Sequence, residues 1–333
     1  MLKPSYLEKV PESLVDMYSQ AEEDIIVDMA RRISTYDYFI PSAEHQFRRM
    51  QEMGSSYDDI VSRLAQTTKQ SKKEVERLIK EAGAETLKTD QKLYKKAGLE
   101  PKPLKAAVHL QQTLRQGINR TNSTFANLTR TTARIGNKQF TDALDRAYMQ
   151  ISTGAFDPET AIKKAVKDLS SEGLTAVNYA SGRHVSLEGA VRSTITTGVN
   201  QNALAVQEAY MDDMGCDLVE TTAHGGSRPE HALWQGKVFS RSGTHSKYSP
   251  LRQATGYGTG AGLGGWNCRH SMFPFFEGIS EKAHNSEDLR DYESKAYSYN
   301  GKKMTEYEAV SKQRYIERQV RRWKREYAAM DAR

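Results

Sequence analysis

The sequence contains few cysteines and no long apolar run. Its 333 residues include only two cysteines, Cys216 and Cys268, which are too few for a disulfide framework. No apolar stretch approaches the ~18 residues that span a bilayer, and the N-terminal residues lack the apolar segment of a signal peptide. We therefore expect a soluble protein that is made in a cytoplasm and keeps its thiols reduced.

Acidic residues are missing from the stretch between Glu100 and Asp142, although the net charge of the whole chain is only +6. The charge is −6 over residues 1–60, +10 over 61–150, −3 over 151–301 and +5 over 302–333. This segregation predicts separate surfaces for different partners. The cations in the acid-free stretch indicate either a solvated helix face or a helix against an acidic protein or DNA. They are Lys102, Lys105, Arg115, Arg120, Arg130, Arg134 and Lys138.

Apolar residues recur at helical spacing through most of the chain, which predicts a mainly α fold with a small α+β C-terminal unit. The mean hydropathy of −0.71 favours an extended helical N-terminal region beside a compact domain, here called the motif domain because it contains the distinctive residues 224–278. Four consecutive domains are predicted: a helical partner-docking region (1–100), a long basic helical segment (101–155), a motif domain (156–278) and a basic C-terminal helix (279–333).

Local signals set several element boundaries. Ser42 follows a proline and predicts a helix start, and a second start is expected at Ser55. Asp157 followed by Pro158 indicates an N-cap and first helical position. From residue 114 a four-three spacing predicts a seam with polar positions, formed by Leu114, Ile118, Thr121, Phe125, Leu128, Thr132, Ile135 and Gln139. Residues 216–222 alternate apolar and polar side chains, as in a strand.

The segment from His224 to Gly278 concentrates residues capable of specific chemistry. It includes four potential soft or borderline metal ligands: His224, His231, Cys268 and His270. One hypothesis is that these four bind zinc, because Cys-x-His on an extended chain puts both side chains on one face. A second is acid–base catalysis by His231, with Arg228 or Arg269 clamping an anion, as in a nuclease or transferase.

A third hypothesis gives this segment a structural role. Arg228 and Arg269 would then bond to carbonyls or carboxylates, the histidines would satisfy buried polar groups, and the aromatic residues Trp234, Trp266, Phe273 and Phe275 would form a small core. The glycine-rich residues 240–265 predict a flexible loop in a partner-binding protein. They are not followed by the Lys-Ser/Thr of a phosphate-binding loop.

The C-terminal helix carries a row of arginines. Arg314, Arg318, Arg321 and Arg325 are spaced four, three and four residues apart and so share one face. We expect this row to bind nucleic acid or another anionic surface without reading sequence.

The spaced set Arg228-Pro-x-His231, Trp234-x-Gly236 and Asn267-Cys-Arg-His270 with its aromatic-proline tail resembles the signature of tailed-phage minor head proteins. The family is the minor capsid protein 2 group, related to the Mu F-type head morphogenesis proteins. The resemblance covers residues 187–278 closely and implies structural roles for the motif positions Arg228, Pro229, Trp234, Gly236, Trp266, Asn267, Arg269 and Pro274.

The same resemblance implies a non-enzymatic virion protein inside the capsid near the portal. Such a protein assists head morphogenesis and DNA packaging or ejection, and is present in the host cytoplasm during assembly. The implied partners are the portal or major capsid protein and, by non-specific electrostatics, the phage genomic DNA, with no membrane at assembly. An enzyme of nuclease or transferase type using the His/Arg/Cys cluster is the alternative.

Overall fold

The computed structural model describes residues 1–101, 103–104 and 107–333, so Lys102 and Lys105 of the predicted basic segment lie outside the described residues. The chain divides into two compact units, each built from three stretches. Unit 1 consists of Met1–Glu12, Lys73–Asn122 and Arg192–Arg314, and unit 2 of Ser13–Lys72, Ser123–Val191 and Tyr315–Arg333. Both units are therefore discontinuous in sequence, whereas the four predicted domains are consecutive.

Helices dominate the fold. In chain order they are α1 (Pro4–Lys9), α2 (Glu12–Thr35), α3 (Ser42–Lys96), α4 (Val108–Ser152), α5 (Pro158–Glu172), α6 (Leu187–Asp213), α7 (Pro229–Ala232), α8 (Leu251–Thr255), α9 (Ser286–Tyr292) and α10 (Glu306–Asp331). Among the described residues, no helix has the length and apolar composition needed to cross a membrane. The mainly α prediction is confirmed.

The strands are short and follow the long helices. They are β1 (Thr175–Asn178), β2 (His184–Ser186), β3 (Leu218–Thr221), β4 (Val238–Ser240), β5 (Met272–Pro274), β6 (Tyr297–Tyr299) and β7 (Lys302–Met304). β3 is the centre of an antiparallel sheet of order β4-β3-β5, with Val219 opposite Phe239 on one side and Pro274 on the other. The predicted strand over 216–222 and the small α+β part of the fold are both confirmed.

Two of the predicted helix starts are observed and one is wrong. α3 begins at Ser42, and the Asp157 side chain caps α5 by accepting a hydrogen bond from the Thr160 N–H at 3.0 Å. The start expected at Ser55 is absent, because α3 continues to Lys96 without interruption. A glycine and two serines in a helix interior cost only about 2 kcal/mol in propensity. Burial of the apolar side chains of Ile60 and Leu64 in the following turns offsets that cost.

The core of unit 2 contains hydroxyl groups among its apolar side chains. The Tyr18 hydroxyl lies 3.0 Å from Thr68 Oγ1, which in turn lies 2.6 Å from Thr129 Oγ1, and all three side chains are buried. Thr129 Oγ1 also donates to the Phe125 carbonyl within α4. This chain of hydrogen bonds lets hydroxyl groups lie in the interior of unit 2. The buried positions of the predicted seam are Leu114, Ile118 and Thr121 in unit 1 and Phe125, Leu128 and Thr132 in unit 2.

Unit 1 depends on a close approach between α4 and α6. A Cβ atom on Gly198 would lie 2.6 Å from Thr121 Oγ1, and one on Gly117 would overlap the side chain of Asn202. The Asn202 amide is buried and donates to the Leu114 carbonyl at 3.4 Å. Glycine at both positions therefore allows the two helices to pack at short range.

Only one of the two predicted core tryptophans is buried: Trp234, whose ring centroid lies 4.7 Å from those of His231 and His270. Leu218, Val238 and Phe275 form a buried cluster, and Trp234 is 6% exposed. Trp266 is 69% exposed, so the prediction that it belongs to the core is wrong. Its ring instead covers the glycine-rich loop, where a Cβ on Gly260 would lie 2.8 Å from the indole.

We expect Gly198→Ala to destabilise the protein by about 1–3 kcal/mol, because the added methyl group overpacks the α4–α6 contact. The measurement is the midpoint of denaturant unfolding. Gly54→Ala is the matched control, since Gly54 also lies within a helix but has no atom within 4 Å of its Cβ position. That control should gain up to about 1 kcal/mol from helix propensity. Equal shifts of the two midpoints would contradict the close approach.

Trp234→Ala should lower the free energy of unfolding by about 3–5 kcal/mol, the range for removing a buried large aromatic side chain. Trp266→Ala should change it by no more than about 0.5 kcal/mol, as is usual for an exposed position. Thermal or denaturant unfolding of the two variants side by side tests the contrast. A large loss of stability in the Trp266 variant would show that its ring has a buried role.

Candidate metal centre

Three of the four predicted ligands meet in the interior of unit 1. His231 lies in the short helix α7, Cys268 follows the glycine-rich loop, and His270 precedes β5 by two residues. All three side chains are at most 3% exposed. Their ligand atoms lie within 4.8 Å of one another.

The distances within this group are short and nearly equal. His231 Nδ1 lies 3.4 Å from His270 Nδ1. Cys268 Sγ lies 3.8 Å from His231 Nδ1 and 3.6 Å from His270 Nδ1. The same nitrogen of each ring therefore points at a common centre, together with the sulfur.

Hydrogen bonds on the far side of each ring fix which nitrogen carries the proton. His231 Nε2 donates to the Ala261 carbonyl at 2.8 Å, an oxygen that can only accept. His270 Nε2 lies 3.0 Å from Gln235 Oε1, which also accepts the backbone N–H of His224 at 3.1 Å. That oxygen is thus an acceptor for both groups. In the neutral rings both protons are on Nε2, and both Nδ1 atoms face the centre with lone pairs.

His224 lies beside the group and outside it. Its ring centroid is 4.5 Å from that of His270, and its buried Nε2 makes no hydrogen bond within the described residues. Burial and the neighbouring Arg269 and His231 lower the pKa of His224 to about 3. Burial likewise lowers the pKa of His231 and His270, so all three rings are neutral near pH 7.

The arginines of the motif bond to protein groups. Arg228 donates to the Trp266 carbonyl at 2.7 Å, and Arg269 donates to the Gly226 carbonyl at 2.9 Å. Arg269 also forms an ion pair with Glu8 at 3.0 Å. These are the contacts that the structural hypothesis predicts. Both guanidiniums are thus held against carbonyls of the protein, and the buried ligand group contains no carboxylate.

The other motif positions shape the backbone around the ligands. Pro229 occupies the first turn of α7, and Pro274 pairs with Val219 in the sheet. Gly236 and Asn267 have φ angles of 66° and 56°, in the left-handed region. Only glycine, and less readily asparagine, adopts that region at low cost. These residues hold turns that bring the two ligand segments together.

Helix α6 supplies two contacts that the sequence did not reveal. Buried Asn200 donates from Nδ2 to the carbonyls of both Cys268 and His270, each at 2.9 Å. Thr197 Oγ1 accepts the Asn267 N–H at 2.8 Å. Neither residue stands out by type or spacing, whereas Gln235 at least lies inside the motif. Side chains of α6 therefore set the conformation of the ligand-bearing segment.

The predicted arginine row of α10 is directed largely at the protein's own carboxylates. Arg314 pairs with Glu8 at 3.7 Å, Arg321 with Glu188 at 2.8 Å, and Arg325 with Glu22 at 3.3 Å. Arg318 is the exposed member of the row. Nucleic-acid binding by the row stays a prediction, with three of its four cations engaged in intramolecular ion pairs.

Comparison with known proteins places the chain among phage structural proteins. A "Structural protein" of Lactococcus phage LL-H is 26% identical over 294 residues, which cover 84% of this chain and 76% of the relative. A "Structural protein" of Lactococcus phage mv4 is 37% identical over 76 residues, 23% of this chain and 53% of the relative. No solved structure matches. The family model described as "Phage minor capsid protein 2" matches residues 2–333, and the chain therefore belongs to that family.

Proposed function

We propose that this minor capsid protein is a non-enzymatic component of the head interior next to the portal, where it assists head morphogenesis and DNA packaging or ejection. Its partners would be the portal or major capsid protein and, non-specifically, the genomic DNA. Family membership and the structural-protein relatives support a role in the virion. The observation that supports the docking role is that α10 turns its arginine row toward the protein and its apolar side chains toward solvent.

Helix α10 exposes its apolar face. Ile316, Val320, Trp323 and Tyr327 follow the spacing four, three and four, and their exposed fractions are 39%, 48%, 63% and 76%. At ~100° per residue they share one face, and the arginine row lies on the opposite face. The cations thus face the protein's own carboxylates while aromatic and aliphatic side chains face outward. Exposed apolar surface of this kind marks a contact with another protein.

An enzymatic role for the His/Cys group has little support from its geometry. His231 is 3% exposed, and both of its ring nitrogens already point at other groups of the protein. A general base must reach a substrate proton directly or through one water molecule. Family membership also favours a structural role, and we therefore propose that no catalysis takes place at this group.

The double variant Val320→Glu/Trp323→Glu should reduce incorporation into phage heads at least about tenfold. Burying unpaired charge at an apolar contact costs several kcal/mol, and each 1.4 kcal/mol is a factor of about ten. Quantitative mass spectrometry of purified heads measures the effect. Leu233→Glu is the matched control, because Leu233 is 74% exposed but lies outside α10. Both variants must first show the wild-type melting temperature and helix content.

Binding of the double variant and of the Leu233→Glu control to purified portal and major capsid proteins then identifies the partner. Selective loss of portal binding supports the proposed location, and loss of capsid binding alone would move the site away from the portal. Normal incorporation of the double variant would contradict docking through α10.

The arginine row can be divided by its contacts. Arg325→Ala leaves the buried carboxylate of Glu22 without its ion-pair partner, so we expect a loss of about 3–5 kcal/mol in the free energy of unfolding. Arg318→Ala, at an exposed position, should change stability by no more than about 0.5 kcal/mol. If the row instead acts on DNA, both variants should weaken duplex binding equally and lower its salt dependence, with little change in stability.

A further inference from the structure

We propose that His231, Cys268 and His270 bind a zinc ion that fastens helix α7 to the start of β5. The ion would have a structural role, independent of whether the protein docks at the portal. Two separate features of the group, its distances and its ring tautomers, support this proposal.

The distances are those between three ligands of a tetrahedral zinc site, in which a water molecule would be the fourth ligand. Zinc binds imidazole nitrogen at about 2.0–2.1 Å and thiolate sulfur at about 2.3 Å. In a tetrahedron, two nitrogen ligands are then about 3.4 Å apart, and nitrogen and sulfur about 3.6 Å apart. The observed separations are 3.4 Å between the nitrogens and 3.6 and 3.8 Å from the sulfur. All three observed separations agree with the tetrahedral values to about 0.2 Å.

The tautomers leave the centre of the group with an excess of lone pairs. Because Ala261 and Gln235 each accept a hydrogen bond from a protonated Nε2, neither Nδ1 carries a hydrogen that it could donate to the other across 3.4 Å. The Cys268 thiol has one hydrogen and can satisfy only one of the two nitrogens. A cation at the centre would accept electron pairs from all three atoms. The outer hydrogen bonds would then orient the rings as the second shell of a metal site does.

The ligand types select the metal. One thiolate and two imidazoles suit zinc, whereas magnesium and calcium require oxygen ligands, which the group does not contain. On binding, the Cys268 proton passes to solvent and the thiolate coordinates the ion. His231 is separated from Cys268 by the glycine-rich loop, so the ion would close that loop and restrict it. Loop closure of this kind stabilises the folded chain relative to the unfolded one.

Cobalt(II) is the probe, because it replaces zinc and reports its ligands by absorption. The purified full-length protein, freed of metal by chelation, should develop a thiolate-to-cobalt charge-transfer band and the visible bands of four-coordinate cobalt. Both should saturate at about one equivalent and disappear when zinc is added. Protein purified without chelator should contain about one zinc per chain, and chelation should lower its melting temperature.

Two cysteine variants give the matched control. Cys268→Ser should lose the charge-transfer band, and Cys216→Ser should keep it, since Cys216 is also buried but bonds to the Leu218 carbonyl. If Cys268→Ser does not fold, the wild-type spectrum and the Cys216 variant still decide the matter. Folded wild-type protein that shows no charge-transfer band with excess cobalt would overturn the proposal. So would a band that is lost only in Cys216→Ser.

Discussion

The side-chain amide of Asn200 makes the contact on which the ligand-bearing segment of unit 1 depends. It donates both of its hydrogens to carbonyls two residues apart, those of Cys268 and His270, and so fixes the backbone between them. Asn200 lies in α6, which packs closely against α4 at Gly117 and Gly198. A side chain of a long helix thus fixes the backbone of the loop segment that carries Cys268 and His270. Removing the amide would leave two buried carbonyls unsatisfied, each at a cost of about 1–3 kcal/mol.

A chain of low hydropathy needs interior contacts beyond large apolar side chains. Here the hydroxyls of Tyr18, Thr68 and Thr129 bond to one another in unit 2, so these three polar groups enter the core with hydrogen-bond partners. Hydrogen bonds of this type contribute about 1 kcal/mol each and also fix the register of neighbouring helices. The ion pair of Glu22 and Arg325 likewise joins two helices of unit 2, α2 and α10. Burial raises the pKa of that carboxyl, and Arg325 and the Leu174 N–H oppose the shift.

Periodicity and capping signals predicted the helices well, because both are local. The seam of α4, the cap at Asp157 and the strand at residues 216–222 needed only neighbouring residues. Trp266 was assigned to the wrong environment because side-chain type says nothing about the left-handed turn at Asn267 that follows it.

The arginine row of α10 was correctly spaced, yet its direction depends on carboxylates such as Glu22, about 300 residues earlier. Asn200 was missed for the same reason, since it acts 68 and 70 residues away in the chain. The motif contains the candidate ligand types. That His231, Cys268 and His270 meet, and that His224 lies outside the group, could be seen only in the tertiary structure.

The discontinuous units have a consequence for the order in which the protein folds. All residues of unit 1 are present once the chain has been synthesised to Arg314. Unit 2 also requires residues 315–333. During synthesis the partner of Glu22 is therefore missing until Arg325 has emerged from the ribosome. Contacts over such separations in sequence slow folding, because a long loop must close before they form. Until then, we expect α2 and the first half of α3 to expose apolar surface that a chaperone can bind.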